Sequence, residues 1–195
     1  SLGLPRQTHT DHVVWMHEAG RPEATDAVIT DVSGLCLAVK TADCIPVLLY
    51  DRVQRRVAAV HAGWRGTVKD IVTKTLVAMD SRGADVSAII GPGISLQSFE
   101  VGDEVYEAFR AAGFPMNRIA QRYEKWHLYL WDANRWLLQQ AGVTDIYTAG
   151  VCTFKSADYY SARRDTIETG RNMNCIFIYC CPVKLKTAQF VAPKP

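Results

Sequence analysis

Short apolar runs recur along the chain at Asp26 to Thr30, Leu35 to Val39, Ile45 to Tyr50, Val57 to Val60, Val86 to Ile90 and Asp145 to Ala149. Each is bounded by turn-forming residues and reads as a strand. Between them the spacing becomes helical. Ile71, Val72, Leu76 and Val77 share one face of a helix expected over Thr67 to Met79, with Thr67 as its N-cap. Val105, Ala108 and Phe109 oppose Asp103, Glu104 and Glu107 in a second helix over Val101 to Ala112. A third, over Asp132 to Ala141, is expected to be capped by Asp132 and stopped by Gly142. Phe114 to Trp126 is irregular, and a last strand is expected from Cys175 to Cys180.

Two of these strands determine where reactive groups gather. Ile45 to Tyr50 and Val57 to Val60, joined by the polar turn Asp51 to Arg56, pair as a hairpin. Its antiparallel return brings Cys44, at the entry of the first strand, beside His61, at the exit of the second. Leu35 to Val39 feeds into Thr41-Ala42-Asp43-Cys44, a polar tetrad mounted on a strand end. Asp43 suits a ligand orienter, a proton acceptor or a turn-former. After His61, Arg65, Gly66 and the first turn of a helix starting at Thr67 offer positive charge and free N–H groups, a corner fit for an anion such as phosphate. Tyr159, Tyr160, Arg163, Arg164 and Arg171 cluster before the last strand, as a surface for an anionic or planar substrate or as solvated side chains.

Composition narrows the classes. The chain has 195 residues, a length that fits one domain over 1–195. With 22 basic and 20 acidic side chains and a net charge of +2, bulk attraction to nucleic acid or an anionic membrane is not expected. No apolar run approaches the roughly 20 residues of a membrane span, and the first residues are no signal peptide, so a soluble, cytoplasmic protein is expected. Of the cysteines, Cys36, Cys175 and Cys180 read as small core residues; no Cys-x-x-Cys pair exists, which excludes a zinc ribbon. His12 and His17 read as surface residues, and spacing alone leaves His9 open. Trp126, Tyr129, Trp131 and Trp136 read as core rather than as a base-stacking surface.

Several motifs occur in one order: Gln7-Thr8-His9, Thr41 to Val47, His61-Ala62-Gly63-Trp64-Arg65-Gly66, Ile90-Gly91-Pro92, Phe99-Glu100-Val101-Gly102, and Ser161 to Asp165 with Thr169-Gly170-Arg171. In these the chain resembles the YfiH family, also called the laccase-domain or multicopper polyphenol oxidase family and described as purine nucleoside phosphorylases. The resemblance implies an α/β fold of mixed sheets sandwiched between helices, an α-β-β-α arrangement of the CNF/YfiH-like kind. It implies a zinc ion held by His9, Cys44 and His61, and phosphorolysis of adenosine, inosine, guanosine and methylthioadenosine, with adenosine deamination and peptidoglycan-precursor editing also ascribed to the family. Purine nucleosides and phosphate are then the partners. The family usually carries a further strand-and-loop segment before the Gln-x-His block, and on this resemblance the sequence is expected to lack it. It often has cysteine where this chain has Gly93 and tyrosine where it has Ala162.

Two imidazoles and a thiolate leave a fourth position open on zinc, the pattern of a catalytic site. On this reading Arg65, Gly66 and the following helix start, with Arg163 or Arg164, hold phosphate, while the metal and Asp43 assist departure of the base. Two rivals follow from the same residues: an amide or acyl hydrolase with Cys44 as nucleophile and His61 as base, and a non-catalytic nucleotide-binding module. A single copper ion also suits a His-Cys-His set, but the five histidines of the chain do not supply a blue-copper centre and a copper cluster besides.

Overall fold

The computed structural model describes residues 1–179. In chain order come β1 (Leu2–Gly3), β2 (Val13–Trp15), β3 (Ala27–Thr30), β4 (Cys36–Thr41) and the expected hairpin, β5 (Ile45–Asp51) and β6 (Arg56–Ala62). Helices α1 (Trp64–Val68) and α2 (Ile71–Ala78) precede β7 (Val86–Ile90), β8 (Glu100–Val101) and α3 (Asp103–Ala111). Next are α4 (Met116–Ile119), β9 (Ala120–Arg122), β10 (Trp126–Leu128), α5 (Leu130–Gln140), β11 (Asp145–Thr148), α6 (Ala162–Asp165) and β12 (Asn172–Ile176).

The hairpin lies in the middle of a six-stranded mixed sheet of order β11-β7-β5-β6-β3-β2. That position explains why β5 is an almost unbroken apolar run: both of its faces are covered. Val47 and Leu49 face a core shared with Val72 and Leu76 of α2, Phe109 of α3 and Leu138 of α5. Leu48, Val57 and Ala59 face the other way, onto Leu37 and Val39 of a three-stranded sheet ordered β1-β4-β12. The result is a mixed α/β fold with a helical layer on one side of the large sheet and a second sheet on the other. A small antiparallel sheet, β8-β10-β9, organises much of the stretch expected to be irregular.

Some element boundaries differ from expectation, each for a local reason. The helix over Thr67 to Met79 is two helices. Gly63 occupies the N-cap of α1, Thr67 lies inside it with its hydroxyl donating to the Gly63 carbonyl, and Asp70 breaks the run at φ 61° to cap α2 by accepting from the Thr73 N–H. The second helix starts at Asp103, since Glu100 and Val101 pair with β10. The third starts at Leu130 with Tyr129 at its N-cap and Asp132 in its first turn, where a carboxylate still favours the dipole. Gly142 ends it at φ +82°, a conformation that glycine adopts without strain. The last strand is Asn172–Ile176, and Cys180 and Cys181 fall outside the described residues.

Candidate metal centre

The hairpin register sets the site. Pro46 lies opposite His61 and Ile45 opposite Ala62, so Cys44, one residue before the strand, reaches the His61 imidazole. His9 arrives from the loop between β1 and β2. One ligand atom from each of His9, Cys44 and His61 lies within 4.8 Å of the others, and the two imidazoles meet edge to face at 5.0 Å. Gly63 forms the floor: a Cβ added there would stand 3.0 Å from Cys44 Sγ and 3.2 Å from His9 Cδ2. Any side chain at this position would crowd the space between two of the donors. A thiol and two imidazoles around a hollow that a single methyl would fill fit a zinc or copper ion by donor chemistry.

The sequence pattern did not single out Asp26. Fully buried, it accepts hydrogen bonds through Oδ1 from His61 Nδ1 (2.6 Å) and the His9 N–H (3.1 Å). Through Oδ2 it accepts from the N–H groups of Thr8 (3.1 Å) and Thr10 (2.8 Å) and from the Thr10 hydroxyl (2.8 Å). Burial alone would raise this carboxyl, but the His61 and Thr10 hydrogen bonds hold it well below the usual carboxylate range. Burial likewise pulls His61 down, and the charge of Cys44 and the bond to Asp26 outweigh it, lifting the imidazole to about 9. Cys44 is pushed up by burial and then brought down to about 6 by the charge of His61 and by hydrogen bonds from both histidines. Between about pH 6 and 9, with no ion bound, the centre is thus a thiolate beside an imidazolium backed by a carboxylate.

Beside the ligands opens a cavity of about 260 Å³, lined by His9, Asp43, Cys44, Phe99, Arg163 and Ile167 among others. Asp43 has φ 87°, uncommon for a residue with a side chain, and both of its oxygens are engaged: Oδ1 by the Thr153 hydroxyl and Oδ2 by the Arg163 N–H, each at 2.7 Å. Its carboxylate thereby ties this bend to Thr153 and to α6, which borders the cavity. Arg163 lays its guanidinium 5.5 Å from the Phe99 ring centroid and donates to the Glu100 carbonyl.

Arg164 is spent elsewhere. Its guanidinium donates to the carbonyls of Thr153, Phe154, Ser156 and Tyr159 and to Asp165, leaving no direction for phosphate. Arg171 likewise donates to the carbonyls of Ile167, Thr169 and Gly170 within its own loop. Arg65 is exposed, 4.3 Å from the ring of Trp64, and neither it nor buried Gly66 lines the cavity. The helix start expected at Thr67 lies earlier, with Gly63 at the N-cap of α1, and the Asp70 carboxylate caps α2.

Most of the remaining candidates fall where the sequence suggested. His12 and His17 are exposed, and His127 bonds the Leu96 carbonyl away from the cluster. Trp131 is buried and donates to the Gly91 carbonyl, while Trp126, Tyr129 and Trp136 pack against the core. Cys36 and Cys175, expected in the core, are half-buried neighbours, and burial together with Cys36 pushes the Cys175 thiol up to about 11. At Gly93 an added Cβ would stand 2.3 Å from Ile45 Cδ1, so a cysteine there requires repacking of Ile45.

The sequence model of the multi-copper polyphenol oxidoreductase laccase family matches residues 1–179. The chain belongs to this family. Among its laccase-family relatives, a purine nucleoside phosphorylase of Bacteroides thetaiotaomicron is 45% identical over 91% of this chain and 73% of its own length. Another, from Deinococcus radiodurans, is 43% identical over 85% of this chain and 65% of its own length. A protein named adenosine deaminase RL5, from an unknown prokaryotic organism, is 39% identical over 90% of this chain and 74% of its own length. The chain thus spans roughly two thirds to three quarters of these relatives. The crystal structure of a Neisseria meningitidis protein superposes with a TM-score of 0.85 at 35% identity, covering 91% of this chain and 75% of that one. YfiH of Bacillus licheniformis does so at 0.84 and 31%, covering 91% and 74%.

Proposed function

We propose that this laccase-family chain is a cytoplasmic purine nucleoside phosphorylase that works with a zinc ion held by His9, Cys44 and His61. The observation that carries the reading is the convergence of these three donors, two of which, His9 and Cys44, line a cavity of about 260 Å³ that also presents an aromatic face and an arginine. The names of the relatives from Bacteroides thetaiotaomicron and Deinococcus radiodurans support it. Zinc, when bound, supplies a Lewis acid that polarises an oxygen of the substrate. In phosphorolysis an oxygen of phosphate forms a bond to ribose C1′, the N-glycosidic bond breaks, and the base leaves with the bonding pair and takes up a proton.

The chain's own residues supply binding and orientation. Phe99 and Ile167 offer apolar surface to the purine plane, and Arg163, the arginine lining the cavity, is assigned to phosphate in place of Arg65, Gly66 and Arg164. Asp43, whose oxygens are both occupied by donors, is assigned to holding α6 in place rather than to moving a proton. Adenosine, inosine, guanosine and methylthioadenosine are the candidate substrates. Copper suits the donor set too, but the five histidines of the chain weigh against a multicopper oxidase.

Incubating the zinc-loaded protein with inosine tests this directly. Hypoxanthine and ribose 1-phosphate should form only when phosphate is present, and His61→Ala should abolish both. Equal release of base without phosphate would make the protein a hydrolase instead. A second reading, deamination, has the relative named adenosine deaminase behind it; with adenosine as substrate, inosine and ammonia would appear without phosphate. The Cys44–His61 hydrolase rival predicts that iodoacetamide inactivates the zinc-loaded protein as fast as the metal-free one, whereas a metal-held thiolate is protected.

A further inference from the structure

The buried aspartate Asp26 touches both histidines of the centre, one through its side chain and one through its backbone, although it stands 17 and 35 positions from them in the chain. All five hydrogen bonds to its carboxylate come from donors, so the group is matched as an ionised acceptor on both oxygens. Its backbone takes part as well: the Asp26 carbonyl accepts from the His61 N–H at 2.7 Å. Because Nδ1 of His61 is committed to Asp26, Nε2 is the nitrogen left to face Cys44. On the other side, three successive N–H groups of the Thr8-to-Thr10 loop wrap the same carboxylate and hold His9 at φ 61°, a left-handed conformation that a free loop would seldom keep.

We infer that Asp26 is the positioning residue of the metal centre, fixing the His61 tautomer and the His9 loop together so that both imidazoles meet the Cys44 sulfur. The inference rests on the metal reading above. A carboxylate behind a ligating histidine raises its basicity and locks its ring, and its loss typically weakens metal binding about 10- to 100-fold.

Asp26→Asn discriminates by a specific route. An amide must turn its NH2 toward one set of donors. The loop side presents two backbone N–H groups and a hydroxyl, whereas the His61 side presents one backbone N–H and an imidazole able to switch tautomer. The NH2 therefore faces His61, the ring proton moves to Nε2, and the lone pair that would bind metal is lost. The matched control is Asp51→Asn. Asp51 is another fully buried aspartate, and its carboxylate accepts from the Val53 and Gln54 N–H groups at the far end of the hairpin.

The experiment measures zinc dissociation constants for the full chain, its Asp26→Asn variant and its Asp51→Asn variant by competition with a chromophoric chelator. Asp26→Asn should bind zinc about 10- to 100-fold more weakly, with Asp51→Asn staying close to the parent protein. A second readout needs no variant: nitrogen chemical shifts of the zinc-loaded parent should show His61 with its proton on Nδ1 and the metal on Nε2. Unchanged affinity in Asp26→Asn, an equal loss in both variants, or metal on Nδ1 of His61 each overturns the inference. If the parent chain itself binds no zinc, the metal reading fails, and that result is distinct from all three.

Discussion

At the scale of single residues, the Cys44–His61 pair sets the clearest pH expectation. The thiol is depressed to about 6 and the imidazole raised to about 9. Stability from the depressed thiol is fully present above its ordinary value near 8.5 and is lost as pH falls through about 6. Stability from the raised imidazole is present below its ordinary value near 6.5 and is lost as pH rises through about 9. Between the two, both partners are charged. In metal-free protein, alkylation of Cys44 by iodoacetamide should therefore be half-maximal near pH 6, and His61→Gln should move that midpoint upward by removing the positive neighbour. A midpoint near the ordinary thiol value in the parent chain would contradict the ion pair. The residues of this pair were legible in the sequence because a hairpin of known register places its two ends together. Asp26 was not, since an aspartate at the start of a strand reads the same whether it bonds solvent or five buried donors. Arg164 misled for the opposite reason: an arginine beside tyrosines suggests an anion, but its donors satisfy the carbonyls of its own loop.

At the scale of elements, the strands from β3 to β7 were read to within about two residues, because burial on both faces of β5 and β6 and alternation in β7 follow directly from their places in the sheet, whereas the last strand lies earlier than expected and β9 and β10 were not foreseen. The helices were less legible. The apolar stripe Ile71, Val72, Leu76 runs on smoothly from Thr67, and nothing in that periodicity reveals that Asp70 turns left-handed or that the Thr67 hydroxyl is bonded to Gly63. That break moves the helix start back to Gly63, and our phosphate assignment goes to α6 because Arg163, not Arg65, lines the cavity. The two regions then separate by mutation. Arg164→Gln cuts the tethers of the α6 turn and should raise KM for inosine roughly 10- to 100-fold, the order of effect expected when a positioning element shifts by about 1 Å. Arg65→Ala, outside the cavity, should leave KM for both inosine and phosphate within about twofold, a change of roughly 0.4 kcal/mol. Steady-state kinetics on the two variants decides. A large phosphate KM for Arg65→Ala would return the phosphate assignment to Arg65 and the start of α1.

At the scale of the whole molecule, the centre joins parts of the chain that the sheet alone holds weakly. His61 and Cys44 belong to the central hairpin, but His9 hangs from the loop before β2, a three-residue strand at the sheet edge that pairs only with β3 among the described residues. An ion touching all three would couple that edge to the core. Since the unfolded chain has no preformed site, zinc at 1,000 times its dissociation constant would add about 4 kcal/mol to stability. In a domain of this size about 1 kcal/mol moves the unfolding midpoint by roughly 2–4 °C, so removal of zinc should lower it by on the order of 10 °C. The loss should not be uniform. Val13 to Trp15 and the Thr8-to-Thr10 loop should gain amide exchange first, while β5 and β6, buried on both sides, keep their protection. Differential scanning calorimetry and hydrogen exchange on chelator-treated and zinc-reloaded protein measure both effects. An unchanged midpoint together with unchanged exchange at the edge would mean that the three side chains share a place without sharing an ion.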